Sequence, residues 1–587
     1  MTHVNVVPAR RMPVDRPWLT YICPNTLHVE PGMLVTIPLR GQDVVGVVWE
    51  TTTEVDPKKT YRELKSIITP QPLFNDWSRQ ILAAAADTHS TTLSWLVHRI
   101  VPDLRPQRLK KLFSTIVEAP KANQESPESA QLWYQERRSG IQSILQYAKS
   151  HAQRQIVLLT PTADDALQLV QALESAGRSA VYVHSQLSAT AMAELIVRLN
   201  HGEPLCIVGG VYALCLPYPT EPCIILDQEE HYAHKESSQY PYYDVRTILA
   251  VIDQPVFRTT CAPRLSSYQQ FAHLQPASFG QRTLVSMHGS RATPWITEEA
   301  LTAIDEAHAS GKRTVCIVPR RGYASALVCR TCGYAVSCKT CGQHLALYRG
   351  VTSQAECRQC HTAMQLPEQC PTCSGVQWKA SGIGIEHVVE QFQTLRPELQ
   401  TSPIISPDVS VDIAVDSYHA YHQLRHFSDI GVVLFIAGDA MLAATEYVVA
   451  ERAWQYLHRV QAQVPQVQLI VQTWQPDILF WQRWLHGDAR AWYEHEIAER
   501  QRLHVSPFAS EWILRGRVTT EEAKQEQRRV TEILGTQATV MLLPMKRADT
   551  QRLLITFQRT VTPPAHLWTT IVQNPWHLDQ HPISWYD

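Results

Sequence analysis

No stretch of this 587-residue chain approaches eighteen uninterrupted apolar residues, so no transmembrane helix is expected. The opening MTHVNVVPARRMPVDRPW has no apolar run behind its charges, so no signal peptide is expected either, and the chain reads as cytoplasmic. Charge of one sign is also lacking: the net charge is −2, so any nucleic-acid partner must be met by local basic patches and not by a global field. Cysteine is sparse outside one segment, and Cys23, Cys206, Cys215, Cys223, Cys261 and Cys316 mostly sit singly in apolar runs as ordinary buried residues. A Gly-x4-Gly-Lys-Ser/Thr loop is absent, and the sole Gly-Lys pair, Gly311–Lys312, precedes an arginine. The amide cradle and lysine that hold nucleotide phosphates are therefore not expected. What is present is enough apolar material, 44% of residues, to bury several cores, and the length suggests three to five domains.

Residues 329–373 hold eight of the fourteen cysteines, arranged as four Cys-x-x-Cys pairs. In a reducing compartment such pairs are metal ligands and not disulfides. Fifteen residues separate Cys341 from Cys357, which fits a zinc pattern, whereas the five between Cys332 and Cys338 are short for joining two knuckles around one ion. The spacing predicts two nested sites, two zinc ions per chain: Cys338, Cys341, Cys357 and Cys360 inside, Cys329, Cys332, Cys370 and Cys373 outside. Four thiolates leave no open position for water, so the expected role is structural. His344 and His361 are read as bystanders.

The flanks are more telling. RTVCIVPRRGYASALVC reads as a buried strand, a basic turn at Arg320, Arg321 and Gly322, and an approach to the first cysteine. ASGIGIEHVVEQFQTLRPE brings two glycines, an acid and a helix with Val388, Val389, Phe392 and Leu395 on its apolar face. In this order RRGYASALVC, the four cysteine pairs, CPTC and GIGIEHVVEQF resemble the PriA family, the primosomal N′ proteins of bacterial replication restart. Ile385 stands where that family usually has threonine. The resemblance implies a multidomain α/β chain with two degenerate RecA-like helicase lobes, a two-zinc insertion with four cysteines around each ion, a small β-rich amino-terminal DNA-binding domain and a carboxy-terminal α+β domain. The expected bounds are 1–105 for the 3′-end-binding domain, 106–131 for a basic and polar linker, 132–295 for the first lobe, 296–489 for the second with its insertion at 326–381, and 490–587 for the tail. The linker is too short for the winged-helix domain most of the family carries there.

QIVLLTP, AVYVHSQL, PLCIVGGVYAL and PCIILDQEEH alternate buried runs with helical stretches, the pattern of a parallel sheet covered on both faces. HSQL, VGGVYAL, QEEH and TTCAPRLSSY are similar to PriA helicase elements, and AERAWQYLHRV resembles the helix before the last of them. The ATPase parts do not follow. ESAQLWYQERRSGIQSILQYAKS offers Gly140 alone and a Lys149–Ser150 pair after Ala148 in place of a phosphate loop. Either Asp227 or, aligned without a gap, Gln228 takes the place of the family's magnesium acid. Asp227, Glu229, Glu230 and His231 are expected to be a structural remnant, Arg459 is the one arginine kept in RVQAQVPQVQ, and DSYHAYHQ departs from the family pattern.

At the front, short alternating strands turn at Pro31–Gly32 and Arg40–Gly41. By resemblance, Tyr21, Gly41 and Lys65 fall on the surface that receives a leading strand's 3′ end, although Thr20 replaces an aspartate used on the terminal sugar, and Lys65 also reads as a solvated strand-end lysine. RPQRLKKLF at 105–113 is either a phosphate-tracking segment or a solvated interdomain helix, and KANQESPESAQ is a polar linker. In the tail, a helix at 519–534 and the strands ATVMLLP and RLLITFQ are expected. The expected function is binding of forked DNA and recruitment of the replicative helicase without ATPase activity. The expected partners are fork or junction DNA, primosome and helicase-loading proteins and single-stranded DNA-binding protein, in the cytoplasm at the nucleoid and away from membranes. Two other functions are weighed: an active 3′-to-5′ helicase, and a zinc-ribbon scaffold that binds no DNA.

Overall fold

The computed structural model describes residues 2–582 except 14–15, 117–127, 237–239, 253, 275–279, 320–325, 330, 333, 335, 337–353, 357–362, 366, 382–383, 404, 407–409, 419–420, 444–445, 544–549, 559–560, 562, 564–566 and 581. The amino-terminal sheet is antiparallel, with β1 (Thr2–Pro8), β2 (Leu19–Cys23), β3 (Leu34–Leu39), β4 (Gln42–Thr52) and β5 (Ser66–Ile67) in the order β2-β1-β4-β3-β5. Arg40 and Gly41, with φ of 50° and 80°, form the two-residue β3–β4 turn, whose left-handed backbone suits the strand twist. Two helices follow, α1 (Asp76–Thr88) and α2 (Leu93–Ile100), whose first turns are capped by Asn75 and Thr92 side chains. Asn75 Nδ2 also donates to Tyr218 O at 3.0 Å and Pro219 O at 3.1 Å, and Trp77 Nε1 donates to Gln254 Oε1 at 2.6 Å, so α1 seats this module on the next. The segment expected as linker holds a further helix, α3 (Pro106–Phe113).

The first lobe is a six-stranded, all-parallel sheet: β6 (Ala130–Trp133), β7 (Ile156–Leu159), β8 (Ala180–Val183), β9 (Cys206–Gly209), β10 (Cys223–Leu226) and β11 (Val256–Thr260), in the order β6-β11-β10-β7-β9-β8. IVLL and CIIL are wholly buried because helices α4 (Arg137–Ser150), α5 (Ala163–Ser175) and α6 (Ala189–Asn200) and their neighbours cover both faces. The second lobe has the same parallel plan: β12 (Arg282–Ser286), β13 (Arg313–Val318), then, beyond the cysteine insertion, the strands Thr401–Ser402, Ile413–Ser417, Ile430–Phe435 and Gln468–Thr473. β12 pairs in parallel with Gln468–Thr473, so this sheet begins on the amino side of the expected 295 boundary. The helix Ala489–Leu503, assigned above to the tail, stacks Trp492 on Trp454 at 4.4 Å and is part of the second lobe's core.

A four-stranded antiparallel sheet closes the chain, with Glu511–Gly516 and Trp576–Asp579 joining the two strands read from the sequence. Its helix, Thr520–Leu534, starts at a capping box in which Thr519 and Glu522 satisfy each other's backbone amides.

Candidate functional site

A nucleotide-driven lobe keeps its phosphate loop between the first strand and the helix behind it. Here only Tyr134, Gln135 and Glu136 separate β6 from α4, and α4 opens with Arg137. Three residues are too few for the amide cradle of a Gly-x4-Gly-Lys loop. The Arg137 side chain turns to the end of β10, where Nη1 and Nη2 donate to Asp227 Oδ1 and Oδ2, each at 2.6 Å. Asp227 is fully buried and also accepts from Thr259 Oγ1 at 2.9 Å. The end of β10 thus carries a buried aspartate neutralised by the chain's own arginine. Gln228, the alternative, has a φ of 50° and a buried amide nitrogen without a partner among the described residues. Burial would depress Arg137's basicity, but the facing carboxylate of Asp227 outweighs it, and the guanidinium stays charged.

The neighbouring acids are equally committed. Glu229 Oε1 accepts from Arg264 N at 2.9 Å and Ser267 Oγ at 2.7 Å. Glu230 accepts from Thr260 Oγ1 at 2.8 Å and Cys261 Sγ at 3.1 Å, and burial raises its carboxyl above the usual range. His231 Nε2 meets the hydroxyl of Tyr421 in the second lobe, and burial, aided by Arg459, holds its ring well below 6.5. Arg425 Nη1 crosses from the second lobe to Asp165 Oδ1 at 3.3 Å. Glu451 Oε1 accepts from Leu265 N at 2.9 Å, and Tyr493 Oη donates to Pro263 O at 2.7 Å. Arg459 lies over the rings of Tyr232 and Tyr421, 5.9 and 5.6 Å from their centroids, with buried Nε and Nη1 lacking partners among the described residues. Around these contacts one apolar core holds Trp133, Leu265 and Phe271 of the first lobe together with Trp454, Trp481 and Trp492 of the second. Sequence reasoning singled out the acids and Arg459 but missed Arg137, Arg425 and Tyr421; the unmatched charge of Arg137 just before a helix was the available signal.

In the insertion, β14 (Ala326–Cys329) pairs antiparallel with Trp378–Ser381, and a second small pair joins Gln354–Glu356 to Ala363–Gln365. The first pair gathers Cys329, Cys332, Cys370 and Cys373, whose Sγ atoms all lie within 4.8 Å of one another, an arrangement that could hold one metal ion. The amide of Cys332, aimed at the Cys329 thiol, helps to draw it down to about 6. Cys338, Cys341, Cys357 and Cys360, like Arg320, Arg321 and Gly322, lie outside the described residues.

The three amino-terminal positions converge on the β3–β4 turn. Gly41 is at its tip, and a Cβ there would meet open space. Lys65 Nζ pairs with Asp43 just beyond the turn, both half exposed. Tyr21 is 4% exposed and its hydroxyl donates to Pro38 O at 3.2 Å, so it braces the strand leading to the turn and presents little ring to solvent. Thr20 Oγ1 is occupied by Asn5 Oδ1 at 2.8 Å.

Residues 7–102 match the PriA 3′DNA-binding domain (3′BD). Over 551 residues the chain is 20% identical to the replication restart protein PriA of Rickettsia conorii, covering 84% of each. It is 26% identical over 409 residues to that of Helicobacter pylori, covering 65% of this chain and 63% of the other, and 22% identical over 402 residues to that of Bacillus subtilis, covering 60% and 49%. A DEAD box protein from the hyperthermophile Methanococcus jannaschii aligns with a TM-score of 0.28 at 9% identity, covering 72% of this chain and 95% of that one. No helix among the described residues is long and apolar enough to cross a membrane. With a match to the 3′BD at its front, two parallel sheets behind it, a four-cysteine cluster inserted between strands of the second and PriA proteins among its relatives, the chain is PriA-like.

Proposed function

We propose that this protein binds forked DNA in replication restart, takes a 3′ end at its amino-terminal domain and helps deliver the replicative helicase without hydrolysing ATP. The observation that supports the reading is the buried Arg137–Asp227 pair: where a nucleotide-driven lobe would need groups free for phosphate and magnesium, the start of α4 and the end of β10 carry two groups that neutralise each other. Hydrolysis depends on charges arranged around the phosphates and on a positioned metal, and here those groups face inward. The 3′BD match supports DNA as partner, and Gly41 and Lys65 at the β3–β4 turn are the residues assigned to the strand end, with Tyr21 behind them. The partner proteins assigned are primosome components, helicase loaders and single-stranded DNA-binding protein.

The metal assigned is zinc. Tetrahedral thiolate ligation at a Zn–S distance of ~2.3 Å sets sulfurs ~3.8 Å apart, and the Cys329–Cys373 and Cys332–Cys370 Sγ pairs at 3.6 Å fit it. Cys338, Cys341, Cys357 and Cys360 are assigned to a second ion by their spacing. Closed four-sulfur sites of this kind hold a fold together and do no chemistry.

Titration of labelled forks with the purified full chain tests the reading. Expected are tighter binding to forks with a free leading-strand 3′ end than to blocked forks, and affinity that falls linearly on a log–log plot against salt. Absence of salt-dependent fork binding would discard it.

A further inference from the structure

Beside the β3–β4 turn lies a groove of about 210 Å³, lined among others by Arg10, Asp43, His98, Asp103, Arg105 and Pro106. Its Asp43 wall is the ion-pair partner of Lys65, so the groove continues directly from the turn that carries Gly41. α3 leads away from the groove toward the first lobe. Leu109 and Phe113 are wholly buried in a core shared with Leu34 of the amino-terminal sheet and Ile196 of α6. The helix is further fixed at both ends: Arg108 Nη2 donates to Thr190 Oγ1 at 3.1 Å, and His201 Nε2 lies 2.9 Å from Thr115 O.

The outward side of this clamped helix is cationic. Arg105, Arg108, Lys110 and Lys111 are all exposed, and neither they nor Arg10 pair with an acid among the described residues. Of the two acids at the groove, Asp43 is already taken by Lys65. From Arg105 to Lys111 the helix rises ~9 Å, the length of two to three nucleotides at ~3.4 Å each. Unpaired cations on a rigid element, continuous with a groove that starts at an end-binding turn, suit a phosphate backbone better than a protein surface, which would need apolar anchors.

We infer that the DNA backbone behind the bound 3′ end runs through the Arg10–Arg105 groove and along Lys110 and Lys111 of α3 to the first lobe. The inference rests on the DNA-binding reading above and adds the path of the strand. A backbone contact carries no information about the end itself. It therefore differs in its signature from Lys65.

The test is a salt series of fork titrations with the triple variant R105A/K110A/K111A, whose positions are all exposed and off the core, and with Gln107→Ala as a control on the same helix. The triple variant is expected to bind about tenfold more weakly at low salt, with the log–log slope reduced by about 2–3, equally for free and blocked 3′ ends, while Gln107→Ala matches the unmodified protein. An unchanged slope in the triple variant, or a loss confined to free-end forks, overturns this inference while leaving fork binding in place. No fork binding by the unmodified protein would overturn the parent reading, and this one with it.

Discussion

Arg137 stands against two carboxylates, 2.6 Å from Asp227 and 3.9 Å from Asp165, with all three side chains at most 5% exposed. Deleting one partner of such a buried pair leaves an uncompensated charge at a cost of about 3–5 kcal/mol. Arg137→Ala should therefore lower unfolding stability by that amount, and Asp227→Asn in the same chain should recover part of it, because no lone carboxylate then remains at the end of β10. Urea unfolding of the single and double variants measures this; equal stability of Arg137→Ala and the unmodified protein would show the pair to be idle. The buried histidines make a second prediction. Burial holds His234 down to about 4 and His231 and His458 well below 6.5. Neutral when folded and protonated when unfolded, they contribute stability that is present above pH 6.5 and lost as the pH falls below it. His234 alone accounts for about 2 kcal/mol between pH 7 and pH 5. A urea midpoint that does not move between those pH values would contradict it. Residue identity made Asp227, Glu229, Glu230 and His231 legible in the sequence, but not their partners, which come from positions as remote as Arg137 for Asp227 and Tyr421 for His231.

Among the elements, the buried strands were the most legible, since runs such as IVLL and CIIL have one physical use. The strand Trp576–Asp579 was not, because WHLD is short and has a mixed burial pattern that acquires meaning only beside Glu511–Gly516. The 295 and 490 boundaries missed for a related reason: β12 and the helix Ala489–Leu503 are claimed by long-range pairing and by tryptophan stacking, which no local composition marks. The cysteine ribbon gives its own prediction. Freshly purified protein should contain two zinc ions, and Cys332→Ser should remove the outer one; elemental analysis showing one ion or none in the unmodified protein would refute the nested assignment. At the β3–β4 turn, Lys65→Ala should weaken forks with a free 3′ end more than blocked ones, and equal losses in parallel titrations would reduce Lys65 to a general phosphate contact.

Across the whole molecule, the modules are joined by buried contacts. α1 ties the amino-terminal domain to the first lobe, Lys235 and Asp579 form a buried ion pair at 2.5 Å between that lobe and the last sheet, and one apolar core runs through both lobes. A motor closes and opens its cleft around nucleotide, on the pattern of hinge movements that absorb ligand binding. Here the cleft is occupied by His231–Tyr421, Asp165–Arg425 and the packed tryptophans, so opening would expose charge and apolar surface together. On the proposed reading, the lobes act as a frame that spaces the amino-terminal domain from the cysteine ribbon. The absence of a Gly-x4-Gly-Lys-Ser/Thr loop was visible in the sequence from the outset; the Arg137–Asp227 pair and the interlobe core became visible only in three dimensions. Calorimetry of magnesium-ATP against the protein bound to a fork, followed by phosphate release from the same sample, tests the central claim most directly. The account predicts no binding heat at millimolar nucleotide and no release above background; fork-stimulated hydrolysis that disappears in Asp227→Asn would contradict it.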